Sequence, residues 1–259
     1  MTLSSAEIED LRRAKVLLEN PGLAAKISNF VGAPIEKGFA LLPKKWNAVV
    51  NDATRKSIET ALHVALWTMD HNRAESPSNW WHKLAVGTTG AAGGVFGLPA
   101  LAIELPVSTT IMLRSIADIA RSQGENLKLP EARLQCVQVL ALGGGSNSDD
   151  GSDTGYFAAR AAMAKAVSDA VQHLATNGLS QHGAPAIVRL IALIASRFSI
   201  VVSEKAAAQA VPVLGAFGGA VINTLFIDHF QDMGKGHFIV RRLERAHGAE
   251  EVRRIYQDV

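Results

Sequence analysis

The chain is poor in several things, and each shortage excludes something. A single cysteine, Cys136, occurs in 259 residues, so a disulfide-stapled scaffold is excluded and a reducing compartment is the default. Charge is sparse, at 19%, and of neither sign, with 26 Lys and Arg against 24 Asp and Glu. That balance gives no general case for a nucleic-acid partner, and none is expected. Nine prolines and no G-X-Y period exclude a collagen-like chain. Alternating β-branched runs are scarce, which argues against a β-sandwich. The first residues, MTLSSAEIEDLRRAKVLLEN, carry acids early and lack an apolar core segment. No secretory leader is therefore expected, and a cytoplasmic location is.

Alanine and glycine are what the chain does have. They number 40 and 22, about a quarter of all residues. With 48% hydrophobic residues the chain can bury enough surface to offset its conformational entropy, so disorder is excluded. Alanine favours helix. The expected fold class is all-α, one multi-helix bundle of about nine to eleven helices. It spans 1–259 as a single domain, with a flexible surface loop at about 143–155, GGGSNSDDGSDTG.

Local signals mark the elements. Ser4-Ser5-Ala6-Glu7 reads as a capping box that opens the first helix. Pro34 suits the first turn of a short helix, and Pro43 restarts the chain into a long one at about 44–72. Pro130 opens another, while Gly124 and Asn177-Gly178 stop two more. One helix after the loop faces inward through Met163, Val167, Ala170 and Leu174, with Arg160, Lys165 and Asp169 on the opposite face. The stretch 186–203 is strongly apolar and interrupted only by Arg189 and Arg197. The C-terminus reads as a charged helix or helix pair. Its Arg241, Arg242, Arg245, Arg253 and Arg254 are interspersed with Glu244, Glu250 and Glu251, the pattern of a solvated face.

Two uncharged runs stand out, 84–103 and 206–227. They echo one another: Gly90-Ala91-Ala92-Gly93-Gly94-Val95 resembles Gly215-Ala216-Phe217-Gly218-Gly219-Ala220, each with a proline nearby, Pro99 or Pro212. The spacings Gly90/Gly94, Gly93/Gly97 and Gly215/Gly219 place small residues on one helix face, where backbones can approach closely. Both runs reach the ~20 residues of a membrane span, but their many Gly, Thr and Asn residues make a lipid-contacting hairpin or close-packed central helices easier to defend. Trp46 after Lys44 and Lys45, and Trp80, Trp81 and Lys83, combine rings with cations as at headgroup depth. Ordinary core anchoring by tryptophan is the competing account.

Catalytic candidates are weak. Glu104 lies in apolar surroundings and needs a partner or a task, with Arg114, Arg189 and Arg197 as candidate partners. Asp228, His229 and Asp232 fall within about one helical turn, close enough to share a proton or a cation. No HExxH, CxxC pair or GxSxG occurs, and the glycine run is neither GxGxxG nor a P-loop. No metal site and no cofactor are expected. The acids of 143–155 lack EF-hand spacing.

The runs KLAVGTTGAAGGVFGLPALAIELPVSTTIMLRSIADIA (83–120), TGYFAARAAMAKAVSDA (154–170) and KAAAQAVPVLGAFGGAVINTLFIDHFQDMGKGHFIVRRLE (205–244) together resemble the EcsC protein family of bacteria. The family is named for a gene beside those of an ABC transporter. The resemblance implies a helical protein and carries over no catalytic residue set; a hydrolase or peptidase activity finds no protease constellation here. The leading expectation is a non-catalytic protein bound to membrane lipid or a membrane-protein partner, beside a bacterial transport or envelope system. The alternatives are a hydrolase-like or metal-dependent enzyme using Glu104 or Asp228/His229/Asp232, and a protein-interaction module or effector.

Overall fold

The computed structural model describes residues 3–19, 22–32, 34–68, 97–143, 155–177, 184–210 and 215–259. Among them it contains no strand, and ten α-helices pack together as an all-α bundle. The helices are α1 (Ser5–Glu19), α2 (Leu23–Val31), α3 (Glu36–Leu41), α4 (Trp46–Thr68), α5 (Gly97–Ser122), α6 (Pro130–Gln138), α7 (Gly155–Asn177), α8 (Pro185–Gln209), α9 (Gly215–His247) and α10 (Ala249–Asp258). A 3₁₀ turn, Val139–Ala141, extends α6.

The capping box forms. Ser4 Oγ and its backbone N–H both donate to Glu7 Oε2, at 2.7 and 2.8 Å, and Glu7 N–H reaches back to Ser4 Oγ at 3.4 Å. The bonds from Ser4 and His247 draw the Glu7 carboxyl down to about 2. Gly124 ends α5 with φ +80°, where a side chain would be strained, and Glu125 N–H closes back on Ala120 O. Gly248, at φ +89°, divides the charged C-terminus into the helix pair α9 and α10.

Helix α5 runs through Glu104 and Pro106 to Ser122. A mid-helix proline costs roughly 3 kcal/mol through its missing donor and ring clash. The fully buried Leu105 and Thr109 on the same turn show where packing offsets that cost. Thr110 Oγ1 also donates to Pro106 O at 2.8 Å. Pro34 likewise precedes its helix, which begins at Glu36.

Helix direction follows from a few pairs. Gln231 donates to Ser115 Oγ at 2.9 Å and Arg241 to Glu125 at 2.8 Å, both across a separation of 116 residues. A constant separation means that α5 and α9 lie parallel. Helix α8 runs against them: Phe198 stacks near Phe230, and seven residues later Lys205 lies over the ring of Phe226. Arg133 gathers the carbonyls of Leu66, Leu127 and Lys128, which fixes the end of α4 to the α5–α6 connection. The bundle therefore has a first end, where α5 and α9 begin, and a second end, where they finish.

Among the described residues, helices approach closely at Gly38 and Gly236. A Cβ on Gly38 would stand 2.1 Å from Ala207 O, so α3 and α8 meet backbone to backbone. One on Gly236 would meet Leu18 and Ala14 O of α1. No neighbour lies within 4 Å of the Cβ position of Gly219. Gly97, Gly215 and Gly218 lie in the first turns of α5 and α9. Gly90, Gly93, Gly94, Trp80, Trp81, Lys83 and the loop residues 144–154 lie outside the described residues.

Candidate functional site

At the first end, Glu104 of α5 meets Lys205 of α8. Lys205 Nζ donates to Glu104 Oε1 at 2.7 Å, and the lysine side chain is 0% exposed against 18% for the glutamate. The ammonium also sits 4.6 Å above the centroid of Phe226, on α9. One buried charge thus ties together the three helices that carry the apolar runs. Of the arginines anticipated as partners for Glu104, Arg197 donates to Ala141 O at 2.8 Å, and Arg189 lies 3.6 Å from Asp169. The signal for Lys205 was its place at the border of the second uncharged run, since an antiparallel α8 brings that border opposite the first turns of α5.

One residue before it, Glu204 accepts the backbone N–H of Ala24 at 3.2 Å. It serves as a tertiary cap for α2, whose own N-cap position is Gly22 with no side-chain bond. Burial pushes the Glu204 carboxyl up to about 7, against the opposing pull of the Ala24 bond. No local pattern foretells such a cap.

The Asp228, His229 and Asp232 candidates diverge. Asp228 is exposed. His229 is buried, and its Nε2 lies 3.2 Å from Gly143 O; burial, with the Lys26 charge nearby, lowers it to about 4. Asp232 turns to Lys26 at 3.3 Å and Lys235 at 3.2 Å. Glu104 joins none of them. Of the surface clefts, the one between α7 and α8 is lined by Asp169, His173, Asn177 and Arg189, and another by Arg12, Lys15, Glu19 and Val259. None of the four catalytic candidates lines either cleft. No group of three His, Cys, Asp or Glu side chains placed to share a metal ion occurs among the described residues.

The second end holds a buried polar chain that the sequence does not announce. His237 is fully buried, with Nε2 3.1 Å from Gln135 Oε1 and Nδ1 3.0 Å from the Tyr156 hydroxyl. Gln135 Oε1 can only accept, so Nε2 carries the proton and Nδ1 accepts from Tyr156. The tyrosine oxygen in turn accepts Arg160 Nη1–H at 3.2 Å, and Arg160 grips Glu244 with two bonds of 2.8 and 2.9 Å. Burial, reinforced by the Arg160 and Arg241 charges, holds the His237 imidazole well below its ordinary range. Burial drives the Tyr156 hydroxyl up. From Arg160 the donors run one way through Tyr156 and His237 to Gln135, and the other way to Glu244, a connected polar network of the kind that rigidifies a core.

Arg160 therefore corrects its expected place on an outward face. Of the C-terminal arginines, Arg253 and Arg254 are exposed as expected, while Arg241, Arg242 and Arg245 reach partners on other segments. Arg241 bonds Glu125 at 2.8 Å, Arg242 bonds Asp10 at 2.6 Å, and Arg245 pairs with Glu125 and donates to Gln123 O at 2.7 Å. These cations stitch α9 to α1 and to the end of α5.

Trp46 is half-buried and packs on Phe39 with ring centroids 5.7 Å apart, so it has a core contact as well as an open edge. Among the described residues one helix, α8, is long and apolar enough to cross a membrane.

Comparison with known proteins gives one positive result. The model of the EcsC protein family matches residues 5–243, most of the chain. No curated protein and no solved structure matches.

Proposed function

The chain belongs to the EcsC protein family, and from that premise we propose that it is a non-catalytic, membrane-associated helical protein. It acts on the cytoplasmic side, beside a transport or envelope system of a bacterial cell. One observation carries the reading: the 25-residue α8 has a mean hydropathy of 1.9 over an 18-residue window of which only a third is buried. A core helix of a water-soluble bundle hides most of so apolar a surface. The two uncharged runs, 84–103 and 206–227, add apolar length to the sequence around α5 and α9. The ABC-transporter setting for which the family is named supports a place beside transport.

Against the enzyme alternatives stand the pairing of Glu104 with Lys205 and the separate partners of His229 and Asp232. The interaction-module reading relies on free C-terminal cations, and Arg241, Arg242 and Arg245 are bound within the chain.

Sedimentation with liposomes tests the proposal. The purified chain is expected to pellet with vesicles. Replacing Gly90, Gly94, Gly215 and Gly219 by Leu, in a variant whose circular dichroism is unchanged, is expected to abolish that binding. A chain that stays in the supernatant with every vesicle composition overturns it.

A further inference from the structure

We infer that the first end of the bundle docks on an anionic bilayer surface, with Leu41 and Ile103 entering the interface and Lys37, Lys44 and Lys45 meeting lipid phosphates. This inference rests on the membrane-associated reading above and names its contact surface and lipid class. Ile103 is the most exposed of the large hydrophobic residues, at 77%, and Leu41 is 55% exposed. Each belongs to a segment anchored on the same stretch of α8. Ile103 precedes Glu104, which is fixed to Lys205; Leu41 ends α3, which is fixed through Gly38 to Ala207. Lys205 and Ala207 are two residues apart, about 3 Å along α8. The two exposed side chains therefore belong to neighbouring segments gathered at the end of α8.

Charge completes the match. Lys37, Lys44 and Lys45 are exposed, and none has a carboxylate partner among the described residues. The nearby acids are mostly used up: Glu104 by Lys205 and Glu204 by Ala24, which leaves Glu36 exposed. Trp46, half-buried against Phe39, sits between these lysines and the core, where an amphipathic ring borders both water and hydrocarbon. At the second end Arg241, Arg242 and Arg245 are neutralised within the chain, and the exposed Leu129 and Lys128 stand there singly. A surface that combines exposed aliphatic tips with unpaired lysines complements negatively charged headgroups over acyl chains. A neutral protein groove would leave the lysines unmatched.

The test uses the full chain and vesicles of phosphatidylglycerol with phosphatidylcholine, against phosphatidylcholine alone. Binding is expected only with the anionic lipid. Replacing Lys44 and Lys45 by Gln is expected to weaken it about fivefold per lysine. Leu41→Ser with Ile103→Ser is expected to weaken it at least tenfold; both side chains are exposed, so the melting temperature should stay unchanged. A second readout avoids variants that lose binding: an environment-sensitive dye on Ile103→Cys, specific because Cys136 is fully buried, should shift to the blue on vesicle addition. A dye on Val188→Cys, at the opposite end of α8, should not. Wild type that binds while the Leu41/Ile103 and lysine variants bind equally well, or a dye at 103 that stays in water, overturns this surface and leaves the membrane reading standing. Equal binding to phosphatidylcholine overturns the anionic assignment. Wild type that binds no vesicle overturns both.

Discussion

Helices α5 and α9 run side by side, and their two ends are built on opposite plans. Where they finish, charge is abundant and internally spent. Glu125 accepts from Arg241 and Arg245, Arg242 reaches Asp10, and Arg160 with Glu244 closes the line that begins at Gln135 and His237. Where they begin, one lysine is buried on one glutamate, and apolar side chains face outward beside free lysines. The second end is stitched shut by pairs that satisfy one another. Among the described residues, the first end keeps exposed apolar and basic side chains without an internal partner. Such a surface is where a partner gains free energy by binding, and this contrast is why we propose the first end as the docking surface.

The largest effect should come from breaking the buried pair of the first end. Glu104→Leu strands a fully buried ammonium, and chemical denaturation is expected to show a loss of about 3–5 kcal/mol. Adding Lys205→Met should recover most of it, because the stranded charge is then gone. A double variant as unstable as the single one breaks the account.

At the second end, Glu244→Leu is expected to cost less, about 2–3 kcal/mol. Arg160 is 20% exposed, keeps its bond to Tyr156 and lies over the Phe157 ring, so part of its charge stays solvated or partnered. If this loss exceeds that of Glu104→Leu, burial does not rank the two pairs.

The smallest effect is on pH dependence, with opposite signs at the two ends. Glu204 ionises near 7 in the fold rather than at the ordinary 4.5. As pH rises through that window the unfolded carboxyl ionises first, so the first end loses stability. His237 stays neutral below its ordinary 6.5 in the fold. As pH falls past that value the unfolded imidazole takes up a proton that the fold refuses, so the second end weakens in acid. Glu204→Gln should therefore raise the melting temperature at pH 8 and not at pH 4. Hydrogen exchange should open α2 first at pH 8 and the Tyr156 region first at pH 5. The same order of opening at both values contradicts the assignment.

The helices were legible because their signals are local. The capping box at Ser4, the stop at Gly124 and the start at Pro130 depend on neighbours within a turn, and they read correctly. Pro106 is tolerated inside α5 because its local cost is outweighed by packing that only the assembled bundle supplies. The site was less legible. Glu104 drew notice as a charge in apolar surroundings, but its partner is 101 residues away. Arg160 has an outward phase on a helical wheel, yet a carboxylate 84 residues away draws it in. His229 and Asp232 share a turn in sequence and face different elements in space.

The chain's composition and periodicity alone determined that it would be an all-α bundle of many helices with two uncharged glycine-rich runs, because helix formation and burial of one apolar face follow from residues three and four apart. The tertiary structure decided which charges would cancel. Parallel α5 and α9 against antiparallel α8 bring Lys205 to Glu104 and Arg241 to Glu125. They leave Leu41, Ile103 and three lysines facing outward at the end where α5 and α9 begin. Charge pairing depends on distances across the bundle, and those are set by helix direction and register, which no local pattern encodes.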